Sequence, residues 1–331
     1  MEMKHIVCSG CSFTRQEHRI GINGTDIDFM KDSIGYWRWP HYLQDIYSNV
    51  KVYNYGNPTN DNRVILLSII KKVQELLNGG VKSSDIFVIT QWSDVNRKSF
   101  FISEKIAKEY NSTLKYKDID ENAYAHISAF YDNCDDSIGE NGYFIQSGGY
   151  HYPHVIYPVV DVFDKLGQYH SVENSYIEFF EIVLNLQNYL KSNCINYIQF
   201  NLSYNFNQES EHLSFRDVYY DKKIVKSHFD FKYNNPYIQL LYDLVDMDKF
   251  YLYSDEYTNN GGITEWAIRN FNVNTDEQLF MEHNLLERNG IDNFIKEMEC
   301  RENEWPYGHP SNLMNKKFVL DVLSSYLKDF L

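Results

Sequence analysis

Residues 4–15 read KHIVCSGCSFTR, and two chemistries compete for them. Cys8 and Cys11 form a C-x-x-C, the spacing of redox centres and of half a zinc site. Against that, Ser12 follows a short apolar run that stops at Gly10, the setting of a serine on a strand-to-helix turn. The run HIVCSG shows no polar alternation, so it predicts a strand buried on both faces, as in a parallel sheet. A serine at the carboxyl end of such a strand lies on the rim where open α/β sheets place their sites.

The segments that follow extend the expectation of a parallel sheet. WPHYLQDIYS (39–48) spaces Trp39, Tyr42, Leu43 and Ile46 as one helical face, with Pro40 near its start. VKVYNYG (50–56) alternates and stops at Gly56, which predicts a second strand. NDNRVILLSIIKKVQELLNGG (60–80) predicts a long helix, opened by polar residues and closed by Gly79 and Gly80. DIFVITQW (85–92) predicts a third, fully buried strand. Strand, helix, strand, helix, strand implies a parallel sheet with helices on both faces.

From about 100 to 172 the rhythm breaks. This Tyr-, Asn- and Gly-rich stretch, with IQSGGYHYPHVIYP at 145–158, is expected to be an insertion with helix at EKIAKEY (104–110) and ENAYAHISAFY (121–131). An amphipathic helix at 174–193 and a fourth strand at 195–205 then resume the sheet. Residues 206 to about 260 read as a second irregular insertion, followed by helices at 261–271 and within 276–300. The loop WPYGHPSN (305–312) precedes a terminal helix over 312–331. With no repeat and no low-complexity linker, residues 1–331 read as a single α/β domain with large irregular insertions.

Composition narrows the function classes. At 43% hydrophobic and 16% aromatic the chain can bury a substantial core, and its abundance of Tyr and Asn is the bias of AT-rich genomes such as those of viruses. The net charge of −15, with basic residues only in short pairs such as Lys71–Lys72 and Lys316–Lys317, argues against nucleic acid or anionic membrane as partners. Five cysteines do not form a disulfide framework, and the N-terminus lacks the apolar core of a signal peptide. No apolar run approaches the roughly 20 residues needed to span a bilayer. The expectation is a soluble protein made in the reducing cytoplasm. No feature of the sequence sets an oligomeric state.

A serine hydroxyl needs a base to take its proton. His309, in the Pro- and Gly-flanked loop before the last helix, is placed to fall beside the end of the first strand. With these residues the chain resembles an SGNH (GDSL-type) hydrolase. The resemblance rests on Gly10-Cys11-Ser12-Phe13 after the first strand, Gly56 after the second, and His309-Pro310 before the last helix, and it covers roughly residues 4–100 and the last 25. It implies a flavodoxin-like three-layer α/β/α fold and acyl transfer, with Ser12 as nucleophile and His309 as general base and then acid. It also implies an oxyanion site formed by the Ser12 and Gly56 backbone N–H groups with a third donor.

The chain departs from the family pattern at two places. Where the family has Gly-x-Asn-Asp after the third strand, this chain reads Gln91-Trp92-Ser93-Asp94, so the third donor is Ser93, or Asn62 or Asn60 at the start of the long helix. The position three before His309 is Pro306 rather than Asp, which leaves Glu304 or a backbone carbonyl to orient the imidazole. The expected substrate is a small-molecule or polysaccharide ester, above all a carbohydrate O-acetyl ester, because aromatic insertions suit sugar rings. That chemistry needs no cofactor. The alternative is a non-catalytic structural or binding subunit of the same fold, such as a component of a virus particle. Redox and metal chemistry rank below both, because Cys8 falls inside the strand and no second C-x-x-C completes a zinc site. His151 and His154 lie in a loop that does not fix them for a metal.

Overall fold

The computed structural model describes residues 3–11, 14, 19–20, 26–27, 38–56, 60–95, 97–102, 126–129, 143–147, 171–202, 233–255, 260–271, 310 and 312–331. Five parallel strands form the central sheet: β1 (Lys4–Ser9), β2 (Val50–Asn54), β3 (Ile86–Trp92), β4 (Asn196–Asn201) and β5 (Phe250–Tyr251). Their spatial order is 2-1-3-4-5. β1 pairs on both sides, from Lys4↔Val50 to Cys8↔Asn54 with β2 and from His5↔Ile86 to Ser9↔Thr90 with β3.

The strand sequences follow from this position. Ile6, Val7 and Cys8 are fully buried, as is almost all of β3, so neither strand can alternate with polar residues. The edge strand β2 is different: it exposes Lys51, a charge that discourages further pairing at a sheet edge.

Alternate residues of the strands enter two separate cores. On one face Ile6, Cys8, Ile89 and Phe200 pack against α1 (Trp39–Ile46), α5 (Ile263–Phe271) and the terminal helix α6. α6 runs over Asn312–Phe318, widens into a π turn at Val319–Leu323 and ends with Ser324–Leu327. Phe318 is its anchor, with Phe200 and Trp266 edge-on at 5.0 and 5.1 Å between ring centres. On the other face Val7, Val88 and Tyr197 pack against α2 (Asn62–Asn78), α3 (Val172–Ser192) and α4 (Pro236–Leu244). The chain therefore forms a three-layer α/β structure. Among the described residues no helix is long and apolar enough to cross a membrane.

Three expectations are corrected. Within 121–131, where a helix was expected, His126–Ala129 is a strand. It belongs to a three-stranded antiparallel sheet with Lys98–Ile102 and Tyr143–Ser147, in which Tyr143–Ser147 is central. Cross-strand pairing, such as Ile127 opposite Ile145, overrides local helix preference there. Within 206–260 lie α4 and β5, not only irregular chain. α4 carries its own start signal, because Asn235 caps the N–H groups of Tyr237 and Ile238 and Pro236 occupies the first turn. The terminal helix, read as one regular segment, contains the π turn. The segments 104–110 and 276–300, with His151 and His154, lie outside the described residues.

α5 is fastened to the end of β4 by backbone contacts. The Leu202 N–H donates to the Trp92 carbonyl (2.8 Å), and the Thr264 N–H donates to the Leu202 carbonyl (3.1 Å). Glu265 reaches back to accept from the Gly262 N–H, the return half of a capping box, since Gly262 has no side chain to supply the other half. A Cβ on Gly262 would stand 2.1 Å from the Asn201 carbonyl oxygen and 2.7 Å from its carbon. Because those are backbone atoms with little room to yield, Gly262→Ala is expected to lower stability by about 1–3 kcal/mol. Urea unfolding of the two proteins measures this, and equal midpoints would refute the close approach.

Candidate functional site

In a 2-1-3-4-5 sheet the connections leave β1 and β3 in opposite directions, so a crevice opens outside their carboxyl ends. Gly10, Cys11 and Thr14 follow β1, Gln91 to Asp94 end β3, and Asn54 to Asn62 lead from β2 into α2. Ser12, Glu304 and His309 lie outside the described residues; Cys11, which precedes Ser12, and Pro310, which follows His309, are described.

The loop after β1 is held from three sides. The Thr14 N–H donates to the Cys11 carbonyl (2.9 Å), which joins the residues on either side of positions 12 and 13. From β2, Asn54 Nδ2 donates to the Thr14 carbonyl (2.8 Å). From the entry to α2, Asn60 Nδ2 donates to the Gly10 carbonyl (3.0 Å) and to that of Tyr55 (3.3 Å). From β3, Gln91 accepts from the Thr14 hydroxyl through Oε1 and donates through Nε2 to Cys11 Sγ (3.3 Å). Gly10 makes this packing possible: a Cβ there would stand 2.1 Å from Thr14 Oγ1 and 3.0 Å from both Cβ and Oε1 of Gln91.

The residues expected to bind an oxyanion have partners of their own. The Gly56 N–H donates to Asn54 Oδ1 (2.9 Å). Asn62 accepts from the Ser93 N–H (2.8 Å) and donates to the Ser93 and Asp94 carbonyls (3.3 and 3.4 Å), so its amide clamps the loop after β3. Ser93 is fully buried beside it. Service to an oxyanion would require the Gly56 and Asn62 bonds to be exchanged for bonds to the ligand.

The far side of the rim is tied to the C-terminal region. Pro310, next to His309 in sequence, offers its carbonyl to Arg38 Nη1 (3.2 Å) and Asn315 Nδ2 (2.9 Å). Asn315 Oδ1 in turn accepts the first N–H of α1, from Trp39 (3.1 Å). Arg38 is almost wholly buried, so an Arg and an Asn dock the start of α6 against the start of α1.

The insertion after β3 is anchored at the same rim. Asp61, the cap of α2, accepts from the Val64 N–H (2.9 Å) and from the Ser99 hydroxyl (2.7 Å), and the adjacent Lys98 pairs with Glu178 on α3. Burial pushes the Asp61 carboxyl up, opposed by those two hydrogen bonds and the Lys98 charge.

Gln91, Asn60, Arg38 and Asp61 were not anticipated in these roles. A second group of unforeseen polar residues lies just below the rim on the α2–α3 face, where Ser9, Thr90 and Gln199 stand side by side on three strands. Ser9 meets Ser68 at 2.8 Å and Gln199 accepts from the Trp92 indole (2.9 Å), whereas among the described residues Thr90 Oγ1 and both amide atoms of buried Asn201 have no partner. Cys8 and Cys11 have structural surroundings. Both are fully buried, and burial raises the Cys8 thiol well above its usual range. Among the described residues no group of three or more His, Cys, Asp or Glu could hold a metal ion. Comparison of the chain with protein-family models, curated proteins and solved structures finds no match.

His41, in the first turn of α1, gives the rim a pH-dependent element. Burial, reinforced by the Arg38 charge and opposed by a hydrogen bond to the Arg38 backbone, pushes it down to about 4. The unfolded chain takes up this proton near pH 6.5 and the folded chain only near 4, so U binds more protons across that window and stability falls as pH is lowered through it. The loss amounts to on the order of 2–3 kcal/mol. Chemical denaturation at pH 7 and pH 4 should show a smaller acid loss for His41→Gln than for the parent; identical losses would remove His41 as the cause.

Proposed function

We propose that the chain is a serine ester hydrolase of the SGNH type, with Ser12 as nucleophile and His309 as base. The observation that carries this is the docking of Pro310. Bonds from Arg38 and Asn315 fasten the residue after His309 to the start of α1, the helix that follows the Ser12 loop. Arg38 and Pro310, 272 residues apart in sequence, are thereby held together where α1 and α6 begin. The strand order supports it as well, since 2-1-3-4-5 is the flavodoxin-like order, with its ligand site at the β1/β3 switch point.

In the proposed reaction Ser12 Oγ attacks the ester carbonyl as His309 takes its proton. The imidazolium then protonates the departing alcohol, and water repeats the sequence on the acyl-enzyme. Ser93, Gly56 and Asn62 are the candidate oxyanion donors, and Glu304 is the candidate carboxylate behind His309. Losing one such donor typically costs about 10²-fold in rate or more. The substrate class is a carbohydrate O-acetyl ester. The insertion that would select it, rich in Tyr, is anchored beside the crevice through Ser99 and Asp61.

A non-catalytic role in a virus particle or another assembly is the second reading. The engagement of Gly56 by Asn54 and of Asn62 by the Ser93 loop favours it, because both groups are satisfied without a ligand. Incubation with a short-chain aryl ester and with an acetylated polysaccharide separates the two. Hydrolysis by the parent, lost in Ser12→Ala and in His309→Ala, is the expected result. Background release by all three proteins would leave the structural role.

A further inference from the structure

We propose that Gln91 is a positioning residue that holds the Ser12 loop in its reactive geometry; this rests on the esterase reading above. Gln91 is the last residue of β3 on the α1 face and is fully buried. Its amide grips the loop after β1 at two points, Thr14 through Oε1 and Cys11 through Nε2. Those residues stand on either side of Ser12 in sequence, and both are fully buried. One buried side chain on a central strand thus holds the described residues that flank positions 12 and 13 in sequence.

Residue types at the site agree with this role. The Gln amide, like that of the shorter Asn, offers an acceptor and a donor at once, as the Thr14 hydroxyl and the Cys11 sulfur require. Gly10 supplies the space, because any Cβ there would strike Thr14 Oγ1 and Gln91 together. Asn54 and Asn60 hold the same loop by its carbonyls, so Gln91 provides the side-chain contacts and the asparagines the backbone ones. It also assigns Cys11 a purpose: its sulfur is a weak acceptor in the clamp rather than half of a redox pair. A nucleophile displaced by about 1 Å loses about 10²-fold in rate, so a clamp at this place acts on kcat more than on substrate binding.

The test has two readouts, one of which does not depend on catalysis. Gln91→Leu removes both contacts while keeping a buried side chain of similar size. Thr14→Val and Thr14→Ser form a gentler pair, differing in whether the hydroxyl is kept. Cys11 alkylation by iodoacetamide in the folded protein reports loop opening, and it should accelerate about tenfold in Gln91→Leu and in Thr14→Val as hydrogen bonds are lost. Ester hydrolysis should show kcat reduced by about 10–10²-fold with KM little changed, and Thr14→Ser should recover most of the kcat lost in Thr14→Val. Parent-like Cys11 protection and kcat in both Gln91→Leu and Thr14→Val would overturn the clamp. If the parent hydrolyses no ester, Cys11 protection still decides the clamp, and it is the esterase reading that fails.

Discussion

Because β1 pairs with β2 on one side and β3 on the other, it is the constraint from which the remaining structure follows. A strand ladder-bonded along both edges and covered on both faces must be apolar, and Ile6, Val7 and Cys8 meet that demand. The two pairings also send successive connections in opposite directions across the sheet. Right-handed crossovers then place α1 on one face and α2 on the other. The crevice between those paths is where polar groups of the loops after β1, β2 and β3 converge.

At that crevice the hydrogen-bond pattern changes character. The ladder bonds of the sheet are backbone to backbone, whereas at the rim Asn54, Asn60, Asn62 and Gln91 use side-chain amides to hold loop backbone or loop side chains. Buried amide networks stiffen a loop when fully satisfied and are costly when broken, because each orphaned group bears its desolvation cost. A rim built this way is suited to holding a reactive group still. Arg38 and Asn315 extend the same tactic to the C-terminal segment.

Much of the scaffold was legible from local pattern. The helix over Asn62–Asn78 announced itself by apolar spacing, polar residues at its start and Gly79 and Gly80 at its end. β1 and β3 were readable as apolar runs ended by Gly10 and by polar chain. β5 was not, because two residues give no periodicity. The antiparallel strands were hidden because Lys98 pairs with Ser147, and only that distant partner makes the segment a strand. The site was legible in part for the same reason. Gly56, Asn62 and Ser93 do lie at the rim, but the partners that define their geometry are distant in sequence. Arg38 and Pro310 are separated by 272 residues, and Gln91 and Thr14 by 77. A single sequence has no short-range signal for such pairs.

The central claim is that the Ser12 position at this rim is an activated nucleophile served by His309. Treatment with a fluorophosphonate, followed by mass-spectrometric peptide mapping, tests it without knowledge of the natural ester. The account predicts one adduct, on the peptide containing Ser12, which is absent in His309→Ala that retains the parent unfolding midpoint. An unlabelled parent protein, or an adduct carried on another serine, would contradict it.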